Sequence, residues 1–293
     1  MKSLVLSGGG SFGSFEAGVL YAIFYKVHFD KIYGTSVGAL NSVLMAQAYL
    51  DGKPDILRNT WINIIKKDND VYNKKIIRLI IGRPPYDFSP LRNFFKNNID
   101  IKSILKMDKK INLTATDLIS GLPITFSNQN GLTEEEFIDA AIGSASVPPL
   151  FPPVKLKKFV LVDGGIRDNV PLANVIDNKE KDSILVILCR DEKMEEKPDK
   201  YNGVLKISER SIDIMVNEIT KNDISMILNI NNLLEKIEEK EKTPWLMEKK
   251  HINIDVISPG ENLEGDMLDF NSEHLTELFE KGMAKGLDFI PNI

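Results

Sequence analysis

The sequence has very little cysteine: Cys189 is the only one among 293 residues. One thiol cannot form a disulfide within the chain, and a cysteine-rich metal site needs several thiolates. Disulfide scaffolds and cysteine-based metal centres are therefore excluded. Cys189 ends an apolar run that begins at Ser183, so we interpret it as a buried strand thiol rather than a reactive one. We predict neither a metal nor a cofactor.

Long apolar runs and an excess of charge of one sign are also lacking. The longest candidate, Ile76 to Ile81, is interrupted by Arg78, whereas a membrane-spanning helix needs about 20 apolar residues. The first residues are too short an apolar run for a secretory signal peptide, so we expect a cytoplasmic protein. The 37 Lys and Arg against 42 Asp and Glu give a net charge of −5. No overall field attracts nucleic acid, and we predict no nucleic-acid partner.

The order of predicted elements is that of an α/β protein. Short apolar strands at residues 3–6 and 31–33 are each followed by a turn and an apolar helix, at 13–27 and 39–50. This alternation predicts a mainly parallel sheet covered by helices. Hydrophobic residues make up 43% of the chain, which is typical of an ordinary globular protein.

Residues 51–110 differ in texture from the rest of the chain. A polar, basic stretch is followed by the apolar run Ile76 to Ile81 and then by the breaker Gly82-Arg83-Pro84-Pro85. We predict that this segment is a mobile insertion or cap on a single domain that spans residues 1–293.

The later part of the chain predicts further strands and helices. Residues 154–162 and 183–189 are each predicted to form one strand, and Thr133 with Glu136 predicts a helix start by a capping box. A stripe of apolar residues at helical spacing predicts a helix that packs on the core. Its members are Ile212, Met215, Ile219, Met226, Ile230, Leu233 and Ile237.

The segment Gly34-Thr35-Ser36-Val37-Gly38 lies between a predicted strand and a predicted helix, which is the context of a nucleophile elbow. A serine in so tight a turn has strained backbone angles and little room, so Gly34 and Gly38 are the residue type that the turn needs. The turn places the hydroxyl of Ser36 beside the positive end of a helix dipole. Ser36 is the candidate nucleophile, and a plain turn of small residues is the alternative.

A second glycine-rich loop, Gly8-Gly9-Gly10-Ser11-Phe12-Gly13, follows the first predicted strand. In a parallel sheet this loop and the Ser36 turn lie at the same carboxyl edge. Its backbone N–H groups suit an oxyanion hole or a phosphate cradle, and the residues do not separate the two uses. The spacing of Gly8, Gly10 and Gly13 also fits a dinucleotide fingerprint, but the second strand is not followed by the acid that holds the ribose.

A nucleophilic serine needs a base, and none of the three histidines is well placed for that role. His28 lies at the opposite edge of the sheet, while His251 and His274 open a strand and the last helix. Asp163-Gly164-Gly165 follows a predicted strand, so its carboxylate also falls at a strand's carboxyl end. We therefore predict that Asp163 lies near Ser36, although an Asp-Gly pair is also common in ordinary turns.

Together these segments resemble the patatin-like phospholipase family. The 8–13 loop resembles its oxyanion loop, the 34–38 segment its nucleophile elbow and the 163–165 segment its aspartate motif. Further similar segments occur in the same order. They are Thr114-Ala115-Thr116-Asp117-Leu118, Ala145-Ser146-Val147-Pro148, Phe151-Pro152-Pro153, Arg167-Asp168-Asn169-Val170-Pro171-Leu172 and Leu268-Asp269-Phe270.

The resemblance implies a three-layer α/β/α sandwich and a lipid acyl hydrolase that works through a Ser36–Asp163 dyad without histidine. It also implies an oxyanion hole from Gly8, Gly9, Gly10 and Ser11. The family usually has Arg or Lys where this sequence has Phe12; backbone donors do not depend on that side chain. An acyltransferase using the same acyl-enzyme and a catalytically silent lipid-binding module are the alternative functions.

Residues 74–83 are the candidate contact with a lipid surface. Four cations, Lys74, Lys75, Arg78 and Arg83, are interleaved there with five aliphatic residues in an otherwise acidic chain. A surface helix that covers the core is the alternative interpretation. The family resemblance implies a lipid substrate, and these residues are our candidate for peripheral contact with a membrane or micelle surface.

Overall fold

The structure, a computed structural model, describes residues 2–176, 183–191, 203–237, 243 and 251–290. Its strands are β1 (Lys2–Leu6), β2 (Lys31–Thr35), β3 (Asn73–Lys74), β4 (Tyr86–Asp87), β5 (Lys110–Asp117), β6 (Pro123–Ser127), β7 (Val154–Leu156), β8 (Phe159–Asp163), β9 (Ser183–Ile187) and β10 (Ile254–Ile257). Its helices are α1 (Gly13–Ile23), α2 (Val37–Asp51), α3 (Asp55–Arg58), α4 (Asp68–Val71), α5 (Ser89–Asn98), α6 (Ile101–Ile104), α7 (Glu134–Ser144), α8 (Ala173–Ile176), α9 (Val204–Lys236) and α10 (Ser272–Phe289). Gly10–Phe12, Ile76–Ile81 and Gly164–Ile166 are 3₁₀ turns, and Asn59–Ile64 is a π-helical turn.

Among the described residues, the central sheet has eight strands and is mostly parallel, as predicted. Its order is β10-β9-β1-β2-β5-β8-β7, with β6 also paired to β5. The first five strands of this order are mutually parallel, whereas β6, β7 and β8 join by antiparallel pairing. The prediction of one strand over residues 154–162 is wrong: Lys157, at φ 53°, turns the chain between β7 and β8.

Helices cover both faces of the sheet because the side chains of its strands alternate between the two. Leu4 and Leu6 of β1 pack in a large core with residues of α1, α2, α7 and α10, while Val5 between them packs in a second core with Ile224 and Ile227 of α9. The α/β sandwich is thus confirmed. The interaction that starts α7 is also confirmed, because Thr133 and Glu136 exchange the two hydrogen bonds of a capping box.

The face that α9 buries differs from the predicted stripe. Ile212 is buried as expected, but Met215, Met226 and Leu233 are 56%, 61% and 43% exposed. The buried positions include Ile224 and Ile227 instead. A stripe chosen by spacing alone selects a face without knowing which side of the helix meets the sheet.

Residues 51–110 are largely built into the main core rather than set apart from it. Trp61, Tyr72 and Phe95 are buried in the same cluster as the sheet. By contrast, no residue of Ile76–Ile81 is buried. Whether the segment moves as a cap stays a prediction. No helix in the described ranges is both long and apolar enough to span a bilayer.

Candidate active site

Ser36 occupies the sharp turn between β2 and α2. Its backbone has φ 55° and ψ −124°, a region that non-glycine residues rarely adopt. Its N–H donates to Ser144 Oγ at 2.9 Å, and that hydroxyl donates to the carbonyl of Thr114. Strain of this kind persists only where the surrounding structure fixes it, and Ser144, which our sequence reasoning missed, is one residue that does so.

The two glycines of this turn are required by close backbone contacts. A Cβ atom on Gly34 would lie 2.3 Å from the carbonyl oxygen of Gly38, and one on Gly38 would lie 2.4 Å from the carbonyl oxygen of Leu6. Neither backbone neighbour can move away cheaply. The elbow therefore needs glycine at both positions, as the pattern indicated.

Asp163 is the hydrogen-bond partner of the Ser36 hydroxyl. Ser36 Oγ donates to Asp163 Oδ2 at 2.7 Å, and the N–H of Gly165 donates to Asp163 Oδ1 at 2.7 Å. The Asp163 residue is only 2% exposed. Burial raises the pKa of Asp163 to about 6, because desolvation outweighs the hydrogen bonds that favour the charged form. Such a carboxylate is a better base than an exposed aspartate and is still largely ionised at neutral pH.

The route by which Asp163 reaches Ser36 differs from the one we inferred. β8 runs antiparallel to β5, so the two side chains do not share the carboxyl edge of parallel strands. β2 pairs with the first five residues of β5 and ends with Thr35 opposite Thr114. β8 pairs with the last three, on the edge of β5 opposite to β6, and ends with Asp163 opposite Ala115. The two strand ends therefore meet at consecutive residues of β5.

Two further glycines, Gly164 after Asp163 and Gly13 at the start of α1, are also closely packed. A Cβ atom on Gly164 would lie 2.4 Å from the Thr114 carbonyl oxygen, and one on Gly13 would lie 2.2 Å from a methyl group of Val37. These contacts bring the α1, β5 and β8 segments against the turn at Ser36.

The three histidines, all within the described residues, do not hydrogen-bond Ser36. His28 is exposed, and His251 contacts Glu235 at 2.8 Å. His274 packs edge-on against the ring of Phe12, at a centroid distance of 5.9 Å. A histidine partner for the serine is therefore not part of this arrangement.

The glycine loop contains residues that line the site and residues whose N–H groups already donate to backbone carbonyls. Gly8 N–H donates to the Asn169 carbonyl at 3.2 Å, and Ser11 N–H donates to the Met267 carbonyl at 2.8 Å. Gly9 and Gly10 line the cavity beside Ser36. Of the four loop residues named from the sequence, these two are the candidate donors toward a ligand.

Asn169 holds the loop from the other side. Its backbone accepts from Gly8, and its side-chain Nδ2 donates to Thr220 Oγ1 of α9 at 2.7 Å. There is no room for a Cβ atom on Gly8, because it would lie 2.3 Å from Asn169 Oδ1. The segment containing Asn169 was noted only as a resemblance, and its role in supporting the loop was missed because the partner residues are distant in the chain.

An apolar cavity opens beside Ser36. Its volume is about 80 Å³ for a water-sized sphere, and the gaps between lining atoms together with the open mouth bring the space not filled by atoms to about 920 Å³. Ser36, Asp163 and the two glycines are among its lining residues, and the other walls are mostly aliphatic and aromatic. The apolar lining comes from Leu40, Leu44, Trp61, Ile65, Val71, Tyr72, Phe88, Leu91, Phe94, Phe95, Phe151, Ile166, Ile212, Val216, Met267, Leu268 and Phe270. Such a lining suits a hydrocarbon chain.

Phe12 lies behind the loop in the core and not in the wall of this cavity, as far as the described residues define it. Its ring is fully buried, and the guanidinium carbon of Arg190 lies 4.7 Å from the ring centroid. Arg190 also forms an ion pair with Asp213 of α9. The Phe12 ring also packs against His274 of α10.

Comparison with known proteins identifies the family. A family model described as Patatin-like phospholipase matches residues 4–176, which is more than half of the chain. The chain belongs to the patatin-like phospholipase family. Among solved structures, VipD from Legionella pneumophila is similar at a TM-score of 0.49 and 14% identity, over 99% of this chain and 67% of that one.

Membership in the patatin-like phospholipase family makes the chain a lipid acyl hydrolase at the level of the family. The matched region contains the 8–13 loop, the Ser36 turn and Asp163. No group of three or more potential metal ligands occurs among the residues that the structure describes.

Proposed function

We propose that this protein hydrolyses acyl esters of phospholipids or related lipids, with Ser36 as nucleophile and Asp163 as its base. The observation that carries the proposal is the 2.7 Å hydrogen bond from Ser36 Oγ to Asp163 Oδ2 in the lining of an apolar cavity. A donor hydroxyl on a strained turn, a buried carboxylate and a hydrocarbon-lined space are the parts that such a reaction needs.

In the first step, Ser36 Oγ attacks the carbonyl carbon of the ester while its proton passes to Asp163 Oδ2. The negative charge that develops on the carbonyl oxygen is stabilised by the N–H groups of Gly9 and Gly10. Asp163 then gives the proton to the departing alcohol oxygen as the ester C–O bond breaks. The product of this step is an acyl group bound to Ser36.

In the second step, water attacks the acyl carbon and gives its proton to Asp163. The bond between the carbon and Ser36 Oγ then breaks, and the serine takes the proton back. General-base assistance of this kind contributes about 10²- to 10⁴-fold. The pKa of Asp163, raised to about 6, suits a residue that must accept a proton and return it near neutral pH.

Fluorophosphonate labelling tests the nucleophile directly. The probe should label the wild-type chain at Ser36, and Ser36→Ala should abolish both the label and the hydrolysis of a short soluble ester. Ser146→Ala is the matched control: Ser146 is a buried serine nearby whose hydroxyl donates to the Ile142 carbonyl, and its loss should leave labelling intact. An unlabelled wild type would favour a silent lipid-binding module, and product analysis with an added alcohol acceptor would identify an acyltransferase.

We further propose that Ile76–Ile81 contacts the lipid surface. Its five aliphatic residues are 42% to 78% exposed, which supports this contact over the alternative that they cover the core. The nearby cations are partly engaged, because Lys74 pairs with Asp68, and Lys75 and Arg78 pair with Asp87. Apolar insertion is therefore the main expected contribution of this segment.

A substitution of two of these aliphatic residues tests this contact without breaking the ion pairs. Ile77→Ser with Ile80→Ser should weaken hydrolysis of vesicles while sparing a short soluble ester. Equal loss on both substrates would identify the segment as a structural element instead.

A further inference from the structure

The turn between β5 and β6, residues 118–122, carries exposed aliphatic side chains that the site does not use. Leu118, Ile119 and Leu122 are 54%, 72% and 56% exposed. Ser120 and Gly121 lie between them, with Gly121 at φ 70°. We call residues 118–122 the hydrophobic turn.

The hydrophobic turn is hydrogen-bonded to the carboxylate of Asp117, a residue that is 4% exposed. Asp117 Oδ2 accepts from Ser120 N at 3.1 Å and from Ser120 Oγ at 2.7 Å, while Oδ1 accepts from Val160 N at 3.1 Å. The backbone of Asp117 also pairs with Gly121 and Leu122. These hydrogen bonds hold the backbone of the turn in a conformation that leaves its aliphatic side chains exposed.

Lysines lie beside the hydrophobic turn. Leu118 N–H donates to the Val160 carbonyl at 2.7 Å, and Lys155 stands opposite Val160 on the next strand. The tight turn that follows β7 contains Lys157 and Lys158. All three lysines are exposed, and the ion pair that Lys157 forms with Glu136 is long, at 3.7 Å. Aliphatic tips and cations therefore occupy neighbouring turns.

The hydrophobic turn projects from the side of the sheet where the site lies. β2 ends opposite Thr114, and β5 continues for three residues beyond it to Asp117. At about 3.3 Å per residue, the turn begins roughly 10 Å past the strand end that carries Ser36. Ile166, which lines the cavity next to Asp163, is itself 40% exposed.

We propose that the hydrophobic turn inserts into a lipid surface that carries anionic headgroups, which the three neighbouring lysines contact. This proposal rests on the proposed function, since the surface would hold the acyl ester that enters the cavity. Three side chains on a projecting tip are too small for a stable protein interface, which needs about 800 Å² per partner. Aliphatic insertion flanked by cations is the combination that holds a protein at an anionic bilayer.

Vesicle binding of the full chain tests the proposal without turnover. The Ser36→Ala background prevents hydrolysis, and the vesicles contain phosphatidylcholine and phosphatidylglycerol at about 3:1 or phosphatidylcholine alone. Replacing Leu118, Ile119 and Leu122 by serine should reduce binding to the mixed vesicles by at least about tenfold. Lys155→Glu with Lys158→Glu should reduce it most at low salt and should change binding to phosphatidylcholine little.

Leu287→Ser in α10 is the matched control, because Leu287 is 54% exposed, as is Leu118. It should bind vesicles as the parent does. In the Ser36-containing chain, the serine variant of the turn should keep its thermal stability and its turnover of a short soluble ester.

Vesicle binding that survives the turn substitutions, or that falls equally with Leu287→Ser, would overturn the proposal. So would a wild-type dimer in size-exclusion chromatography that the turn substitutions convert to a monomer, since a second copy would then cover the turn. Failure of the hydrolase proposal is seen separately, as absence of fluorophosphonate labelling at Ser36.

Discussion

Replacing Asp163 by asparagine should make the folded chain more stable while it removes ester hydrolysis. An exposed aspartate has a pKa of about 3.9. Burial raises the pKa of Asp163 to about 6 in the folded chain, because desolvation disfavours its charged form. A carboxyl group whose pKa is raised by folding contributes stability that is fully present below about pH 4. That contribution is lost as the pH rises through about 6.

The magnitude follows from the size of the shift. About two pKa units correspond to about 3 kcal/mol of destabilisation of the wild type above about pH 6, relative to a neutral group in the same place. Asparagine fits the same space: its Oδ1 can accept from Gly165 N–H, and its Nδ2 can donate to Ser36 Oγ. For a chain of this size, about 3 kcal/mol raises the melting temperature by about 5 °C.

Thermal unfolding of both chains between about pH 4 and pH 8 measures this effect. The stability gain of Asp163→Asn should be near zero at the acid end, grow through about pH 6 and level off above it. Turnover of a soluble ester should fall by at least about 10²-fold, because the base is gone. Asp117→Asn is a control with the opposite expected sign. Hydrogen bonds from the Ser120 hydroxyl and from backbone N–H groups lower the pKa of Asp117, so replacing this carboxylate should destabilise the chain at neutral pH.

A lower melting temperature for Asp163→Asn at alkaline pH, or a gain that does not change with pH, would show that folding does not raise the pKa of Asp163. Substantial hydrolysis by a folded Asp163→Asn chain would instead refute the role of Asp163 as base.

Three further outcomes are expected. The kcat/KM of the wild type for a soluble ester should fall about tenfold per pH unit below about pH 6, because only ionised Asp163 accepts the proton; a flat profile would contradict this. Gly38→Ala should lower thermal stability and hydrolysis together, since its Cβ atom would meet the Leu6 carbonyl oxygen at 2.4 Å; unchanged melting would show that the elbow relaxes. Phe12→Leu should keep soluble-ester turnover within about tenfold. Phe12→Arg should lower the melting temperature, because it would put a second cation beside Arg190, which stacks on the Phe12 ring. An equal loss of turnover in both variants would show that the aromatic ring takes part in catalysis.

Several local features of this protein could be predicted from short stretches of its sequence. Glycine at 34 and 38 around Ser36, the glycine loop at 8–10 and the capping box at Thr133 each depend on backbone geometry within a few residues. Such features can be predicted from a few consecutive residues because the residue type and the local conformation restrict each other. The alternation of strands and helices indicated the fold class for the same reason.

The contacts between distant functional groups depend on the tertiary structure. The pairing of Ser36 with Asp163 depends on β2 and β8 ending at adjacent residues of β5, and β8 runs in the direction that the sequence did not indicate. The N–H groups of Gly8 and Ser11 donate to the carbonyls of Asn169 and Met267, which are far away in the chain. The buried face of α9 likewise depends on the sheet that it covers. Contacts between distant segments are set by strand pairing and packing, which no local pattern of residues encodes.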